Sequence, residues 1–128
     1  MRKKIILGLV AVFLMALPCS AHETDFFTEN GFQKVRTTAY CSGTTTANGS
    51  PVHYGGCAGS PEHMGDIALL YLPDGYFIGA FEVNDTGGEA IRNGYVIDVY
   101  FPTYFECQEY MRLVGNGRVY VKYIHGNG

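Results

Sequence analysis

The first 21 residues constrain this chain most, because they predict an export signal and leave only the remainder to fold. Arg2 to Lys4 are basic, residues 5–17 carry no charge, and Ser20 and Ala21 are small, which is the order of a secretory signal peptide. The apolar run of about 13 residues is too short for a membrane-spanning helix, which needs roughly 20. We therefore expect cleavage after Ala21 and a secreted or cell-envelope location.

About 107 residues remain after that cleavage, which is the size of one domain. Three of the nine basic residues lie in the signal, so six basic residues face twelve acidic ones and the net charge is about −6. Without a basic stripe, the chain is not expected to bind nucleic acid or an anionic membrane. We expect no membrane span after cleavage and a monomer.

Short segments between turn signals predict a mostly β domain. The predicted strands cover residues 32–40, 66–72, 76–84, 95–101 and 118–124, with a further short strand near Val52. Pro73-Asp74-Gly75 predicts a hairpin turn. The capping box Thr103-x-x-Glu106 predicts one short helix over residues 104–114. Residues 22–31 are interpreted as a loose arm and residues 32–128 as a small barrel.

The mature chain keeps three cysteines, an odd number for a compartment in which disulfides persist. Cys41 and Cys57 flank a glycine-rich loop, and we expect a disulfide between them with Cys107 as a free, buried thiol. Two alternatives remain open. Cys19 could become a lipid-modified N-terminus, and the cysteines could form a zinc site with His53 or His63, although no CxxC pair occurs. We expect no metal and no cofactor.

Acidic residues at strand ends are the candidates for chemistry. Asp85 lies where an alternating strand runs into Gly87 and Gly88, whose backbone allows a ligand to approach closely. Asp98 lies between two β-branched residues and should face away from the core if they face it. The simpler interpretation is a turn-capping Asp85 and a solvated Asp98. Glu62 is a further acid in the long loop, where it could act with the adjacent His63.

Six short motifs follow one another along the mature chain: Thr38-Ala39-Tyr40-Cys41, Thr46-Ala47-Asn48-Gly49, Ile67-Ala68, Asp85-Thr86-Gly87-Gly88, Ala90-Ile91-Arg92 and Ile97-Asp98-Val99-Tyr100-Phe101. In this order they resemble the motifs of the 3D (Asp-Asp-Asp) domain. The resemblance covers residues 36–124. It implies a six-stranded double-psi β-barrel related to MltA-type lytic transglycosylases, stationary-phase muralytic proteins, RlpA and expansins.

The resemblance also implies a function, the cleavage of peptidoglycan glycan strands by a carboxylate. Asp85 and Asp98 match two of the family's acids and are the predicted catalytic pair, with Asp85 as the acid and base and Asp98 as its partner. The implied partner is therefore the peptidoglycan glycan. The predicted substrate-binding residues are Asn84, Thr86, Gly87, Gly88, Tyr40 and Tyr100.

The sequence departs from the family at its earliest acid. Leu69, Leu70 and Tyr71 occupy the region after Ile67-Ala68 where that Asp would lie, and Asp66 just upstream is the nearest possible substitute. This departure keeps a second hypothesis open, a non-catalytic wall-binding module of the expansin-like type. A secreted interaction protein that uses the barrel only as a scaffold is a third.

Overall fold

Six strands close into a barrel in the computed structural model, which describes residues 23–43 and 45–126. The predicted export signal and Cys19 lie outside the described residues. The strands are β1 (Gln33–Tyr40), β2 (Gly56–Ala58), β3 (Ile67–Tyr71), β4 (Phe77–Asp85), β5 (Val96–Tyr100) and β6 (Arg118–Ile124). Their order around the barrel is β1-β5-β2-β4-β3-β6, so the predicted mostly β, six-stranded barrel is confirmed.

Strand pairing in the barrel is mixed. β1 pairs with β5 and β2 pairs with β4 in parallel, whereas the other four pairings are antiparallel. Side chains from all six strands fill the interior and form one apolar core, which includes Val35, Cys57, Leu70, Ile78, Val83, Ile97, Val99, Val119 and Val121. Closure leaves no unpaired sheet edge, which is how small β proteins avoid pairing with other chains.

The predicted hairpin forms where the turn signal lies. The backbone N–H of Leu72 donates to the carbonyl of Tyr76 over 2.8 Å, and Asp74 Oδ1 accepts from the Tyr76 N–H over 3.0 Å. Gly75 has φ = 97°, a left-handed conformation that glycine adopts without steric cost. The turn therefore sets the antiparallel register of β3 against β4.

Helices are more numerous than predicted. The described residues contain α1 (Glu23–Glu29), α2 (Glu89–Arg92) and α3 (Tyr104–Val114), with a 3-10 turn at Pro61–His63. Only α3 was expected, and its predicted bounds are confirmed. Thr103 caps it by accepting from the Glu106 N–H over 3.1 Å, and its own hydroxyl donates to Glu106 Oε1.

The N-terminal segment is a helix rather than the loose arm expected from its polar composition. Phe27 is 1% exposed and stacks on Tyr120 with ring centroids 4.2 Å apart. It also contacts Phe32 and Tyr71, so α1 covers the outer face of the β3–β6 pair. Tertiary burial of one aromatic ring fixes a segment that local pattern alone assigned to a loose arm.

The short strand within the long loop lies at β2, not near Val52. Residues 45 and 51 form only an isolated bridge. β2 has three residues, Gly56, Cys57 and Ala58, all buried between β4 and β5. A glycine and an alanine on either side of a cysteine carry little strand propensity, so this element depends on its two neighbours for its conformation.

Candidate functional site

A β-bulge in β4 decides which way Asp85 points. Along β2, Cys57 pairs with Val83, and the next residue, Ala58, pairs with Asp85, so Asn84 is the extra residue. Val83 is fully buried in the core. Without the bulge, alternation would place the side chain of residue 85 on that same inner face. The bulge therefore moves Asp85 to the outer face of the barrel, as bulges beside functional sites commonly do.

The two predicted catalytic acids lie in one row across neighbouring strands. Ala58 on β2 pairs with Asp85 on one side and with Asp98 on the other. Asp98 pairs in turn with Thr38 on β1. Two strand spacings separate the Cα atoms of the acids by roughly 10 Å. Ala58, the residue between the two acids in this row, has a small side chain and is buried.

Asp98 is held in a partly buried environment. The Thr38 hydroxyl donates to Asp98 Oδ1 over 2.7 Å, which leaves Oδ2 as the oxygen that can carry a proton. Burial raises the pKa of Asp98 above its usual value, the hydrogen bond from Thr38 opposes this shift, and the negative charge of Asp85 adds to it. The environment thus favours the protonated form of this acid.

Asp85 is held as an acceptor by three donors. The backbone N–H groups of Ala47 and Thr86 each donate to Oδ1 over 2.9 Å, and the Tyr40 hydroxyl donates to Oδ2 over 3.3 Å. Burial, followed by the charge of Asp85, raises the pKa of Tyr40, so its hydroxyl remains a donor at neutral pH. This environment suits a carboxylate that accepts hydrogen bonds.

A tight turn in the long loop supplies the Ala47 donor. Thr46 is buried, its N–H donates to the Ser50 carbonyl over 2.8 Å, and its Oγ1 lies 2.7 Å from Asn48 Oδ1. The Asn48 N–H donates to the Asn84 carbonyl over 3.3 Å, which ties the turn to the bulge. The motif containing Ala47 was visible in the sequence. Its role as a backbone donor was not, because any residue can supply an N–H.

Two of the predicted sugar-binding side chains, Tyr40 and Tyr100, lie beside the acid pair. Tyr40 and Tyr100 are register partners on β1 and β5, and their rings meet edge to face at 5.4 Å. Both are half-buried. Gly87 and Gly88 are exposed and lie just beyond the end of β4, and Gly88 is the N-cap residue of α2.

Asn84 does not join this face. Its side chain is 1% exposed, and Nδ2 lies 3.1 Å from His53 Nε2. His53 Nδ1 is 3.0 Å from the Tyr54 carbonyl, so Nδ1 carries the proton and Nε2 accepts from Asn84. Among the described residues, Asn84 Oδ1 and Thr86 Oγ1 are buried without a hydrogen-bond partner. The role of Asn84 in the structure is to form the bulge.

The two additional acids lie in a separate cluster. Asp66 accepts from His63 Nδ1 over 3.0 Å and from His125 Nδ1 over 3.1 Å, and these contacts, first of all the bond from His63, lower its pKa. Glu62 is exposed and lies 3.6 Å from His63 Nε2. Neither acid therefore occupies a place beside Asp98. Nowhere in residues 23–43 or 45–126 do three or more His, Cys, Asp or Glu side chains form a group that could hold a metal.

The cysteines are not paired as expected. Cys41, Cys57 and Cys107 are all free thiols in the structure. Cys57 is fully buried in the barrel core, whereas Cys41 is exposed. The expected Cys41–Cys57 disulfide was inferred from loop length, which cannot show that β2 turns Cys57 inward.

Comparison with known proteins adds no assignment. No protein-family profile matches the sequence, and no curated protein is significantly similar to it. In the part of the chain that the structure describes, no helix is both long and apolar enough to cross a bilayer.

Proposed function

We propose that this protein is an exported lytic transglycosylase that cleaves the glycan strands of peptidoglycan at the Asp85–Asp98 pair. The observation that carries the proposal is the contrast between the two acids. Asp98 is in an environment that favours its protonated form, while three donors bind the oxygens of Asp85. Carboxylates with divergent environments are the usual basis for assigning a proton donor and a charged partner.

The contrast favours Asp98 as the acid and base, with Asp85 as its partner, which reverses the roles first expected from the glycine-rich motif. Asp98 Oδ2 would donate its proton to the glycosidic oxygen as the bond to the muramyl C1 breaks. The resulting carboxylate would take the proton of the muramyl 6-hydroxyl as that oxygen closes on C1. The product is a 1,6-anhydro sugar, and no water is consumed.

Asp85 would act through its charge. A glycosidic bond breaks through a transition state with positive charge on the sugar ring, which a fixed carboxylate stabilises. The Ala47 and Thr86 N–H groups hold Asp85 in place without a rearrangement during the reaction. Tyr40 and Tyr100 offer aromatic edges and faces against which a sugar can pack.

The barrel supports the same proposal. Two parallel strand pairs, β1–β5 and β2–β4, within a closed six-stranded barrel are compatible with a double-psi barrel of the 3D type. We include this family relation in the proposal, together with export through residues 1–21. N-terminal sequencing of the exported protein should begin at His22. If the N-terminus is instead a lipid-modified Cys19, the protein would be anchored in the cell envelope.

The test is digestion of purified peptidoglycan, with mass spectrometry of the released fragments. Wild type should release 1,6-anhydromuramyl products, and Asp98→Asn should lower the rate by at least about 10²-fold, the usual loss on removing a general acid–base group. Asp74→Asn is the matched control, because Asp74 lies in an exposed turn and Asn can still accept the Tyr76 N–H.

Asp85→Asn separates the two roles. It removes the charge that helps to keep Asp98 protonated, so the alkaline limb of the pH–rate profile should move to lower pH in addition to a loss of rate. Wild type that binds insoluble wall but releases no anhydro product would favour the non-catalytic wall-binding module instead. Unchanged rates in both variants would overturn the assignment of this pair.

A further inference from the structure

Two thiols meet where strand β1 ends against helix α3. Cys41 is the first residue after β1 and is exposed, while Cys107 lies in the second turn of α3 and is 7% exposed. The Cys41 side chain is one of the neighbours that raise the pKa of Cys107, after burial. No function proposed above uses either side chain.

The backbone around both residues holds them in place. The Phe101 N–H donates to the Tyr40 carbonyl over 2.9 Å, which fixes the end of β1 beside the segment leading into α3. The Cys107 N–H donates to the Thr103 carbonyl over 3.1 Å, inside the capped first turn. Ala39 and Cys107 line the same surface depression. Cys41 therefore directly follows a strand whose end is bonded to the segment leading into α3, and Cys107 lies on that helix.

We propose that Cys41 and Cys107 form a disulfide that joins the end of β1 to α3 when the protein meets a small-molecule or protein disulfide. Cys57 is excluded as a partner of either, because it points into the core between Val83 and Val99, its register partners on β4 and β5. This inference does not rest on the proposed activity.

The exposure of the two thiols sets the order of the exchange. The Cys41 thiolate attacks one sulfur of the external disulfide, forms a mixed disulfide, and releases one thiolate that takes up a proton. The Cys107 thiolate then attacks the Cys41 sulfur and releases the second thiol. Two protein thiols are oxidised and one disulfide is reduced to two thiols. Burial raises the pKa of Cys107 to about 11, so the second step should become faster as the pH rises.

The experiment is equilibration of the reduced, purified protein with oxidised glutathione at pH 8, followed by non-reducing peptide mapping. We expect one linked peptide pair containing Cys41 and Cys107, the loss of two hydrogen masses, and a rise in Tm of at least about 5 °C. Cys107→Ser should instead retain a single glutathione on Cys41. Cys57→Ala is the control and should still form the link.

Three outcomes would overturn the proposal. They are a linked peptide that contains Cys57, a stable glutathione adduct on Cys41 of the wild type, and two thiols that remain reduced at equilibrium. The mapping of wild type decides among these even if a variant folds poorly.

Discussion

Gly56→Ala tests the mechanism by which the bulge positions Asp85. A Cβ at residue 56 would lie 2.7 Å from Asn84 Nδ2 and 3.1 Å from its Cγ. Residue 56 does not have a left-handed φ, so the backbone itself accepts alanine. The whole effect of the substitution therefore falls on the buried amide that forms the bulge.

The geometry sets the size of the effect. Asn84 is 1% exposed, so it can make room only by moving its amide away from His53 or by moving the backbone. Overpacking a tight site costs about 1–3 kcal/mol, and a buried amide that loses its partner costs about 1–3 kcal/mol. Moving the amide away from His53 relieves part of the overpacking, so the two costs do not add in full. We expect a loss of about 2–3 kcal/mol in the free energy of unfolding. That corresponds to roughly 10–20 °C in Tm.

The assay is urea and thermal unfolding of Gly56→Ala, Asn84→Ala and the double variant. The double variant should lose less stability than the two single variants together, by at least about 1 kcal/mol, since removing the amide removes the clash. Gly88→Ala is the matched control, because its Cβ would meet nothing within 4 Å, and it should cost less than about 1 kcal/mol. Wild-type stability in Gly56→Ala, or strictly additive effects, would refute the clash with Asn84.

Three further predictions follow from single contacts. Phe27→Ala should cost about 3–5 kcal/mol in urea unfolding, because it empties a buried aromatic site, and a near-neutral result would contradict the packing of α1. Asp98→Asn should be more stable than wild type at pH 7. Burial raises the folded-state pKa of Asp98, so the stability linked to its proton is complete below about pH 4 and is lost as the pH rises through the folded pKa. The gain should therefore vanish at low pH, and an equal gain at pH 3 and 7 would exclude this linkage. Tyr40→Phe keeps the ring but removes the donor to Asp85, so kcat/KM should fall about 10-fold, and no change would show that this donor is dispensable.

Local signals predicted the elements whose causes are local. The bounds of α3 follow from its Thr103 cap and the left-handed Gly115 that ends it, both of which the sequence displays. The β3–β4 hairpin follows from its proline, aspartate and glycine turn in the same way. Because these elements carry their own start and stop signals, their bounds do not depend on distant parts of the chain.

The elements that were missed depend on distant partners. α1 is fixed by the stacking of Phe27 on Tyr120, more than ninety positions later, and β2 is a strand only because β4 and β5 flank it. The pairing of Cys41 failed for the same reason. Separation along the chain suggested Cys57, whereas the register of β2 turns that residue into the core.

The candidate site combines both kinds of information. Asp98 follows from alternation, since Ile97 and Val99 face the core and the acid between them must face outward. The position of Asp85 does not follow from alternation, which would turn its side chain inward as at Val83. Only the extra residue Asn84 makes Asp85 the register partner of Ala58. The acid pair therefore depends on the bulge, and the bulge depends on the space that Gly56 leaves for the Asn84 amide. A substitution at Gly56, which touches neither acid, should accordingly lower activity together with stability, while Gly88→Ala should leave stability near the wild-type level.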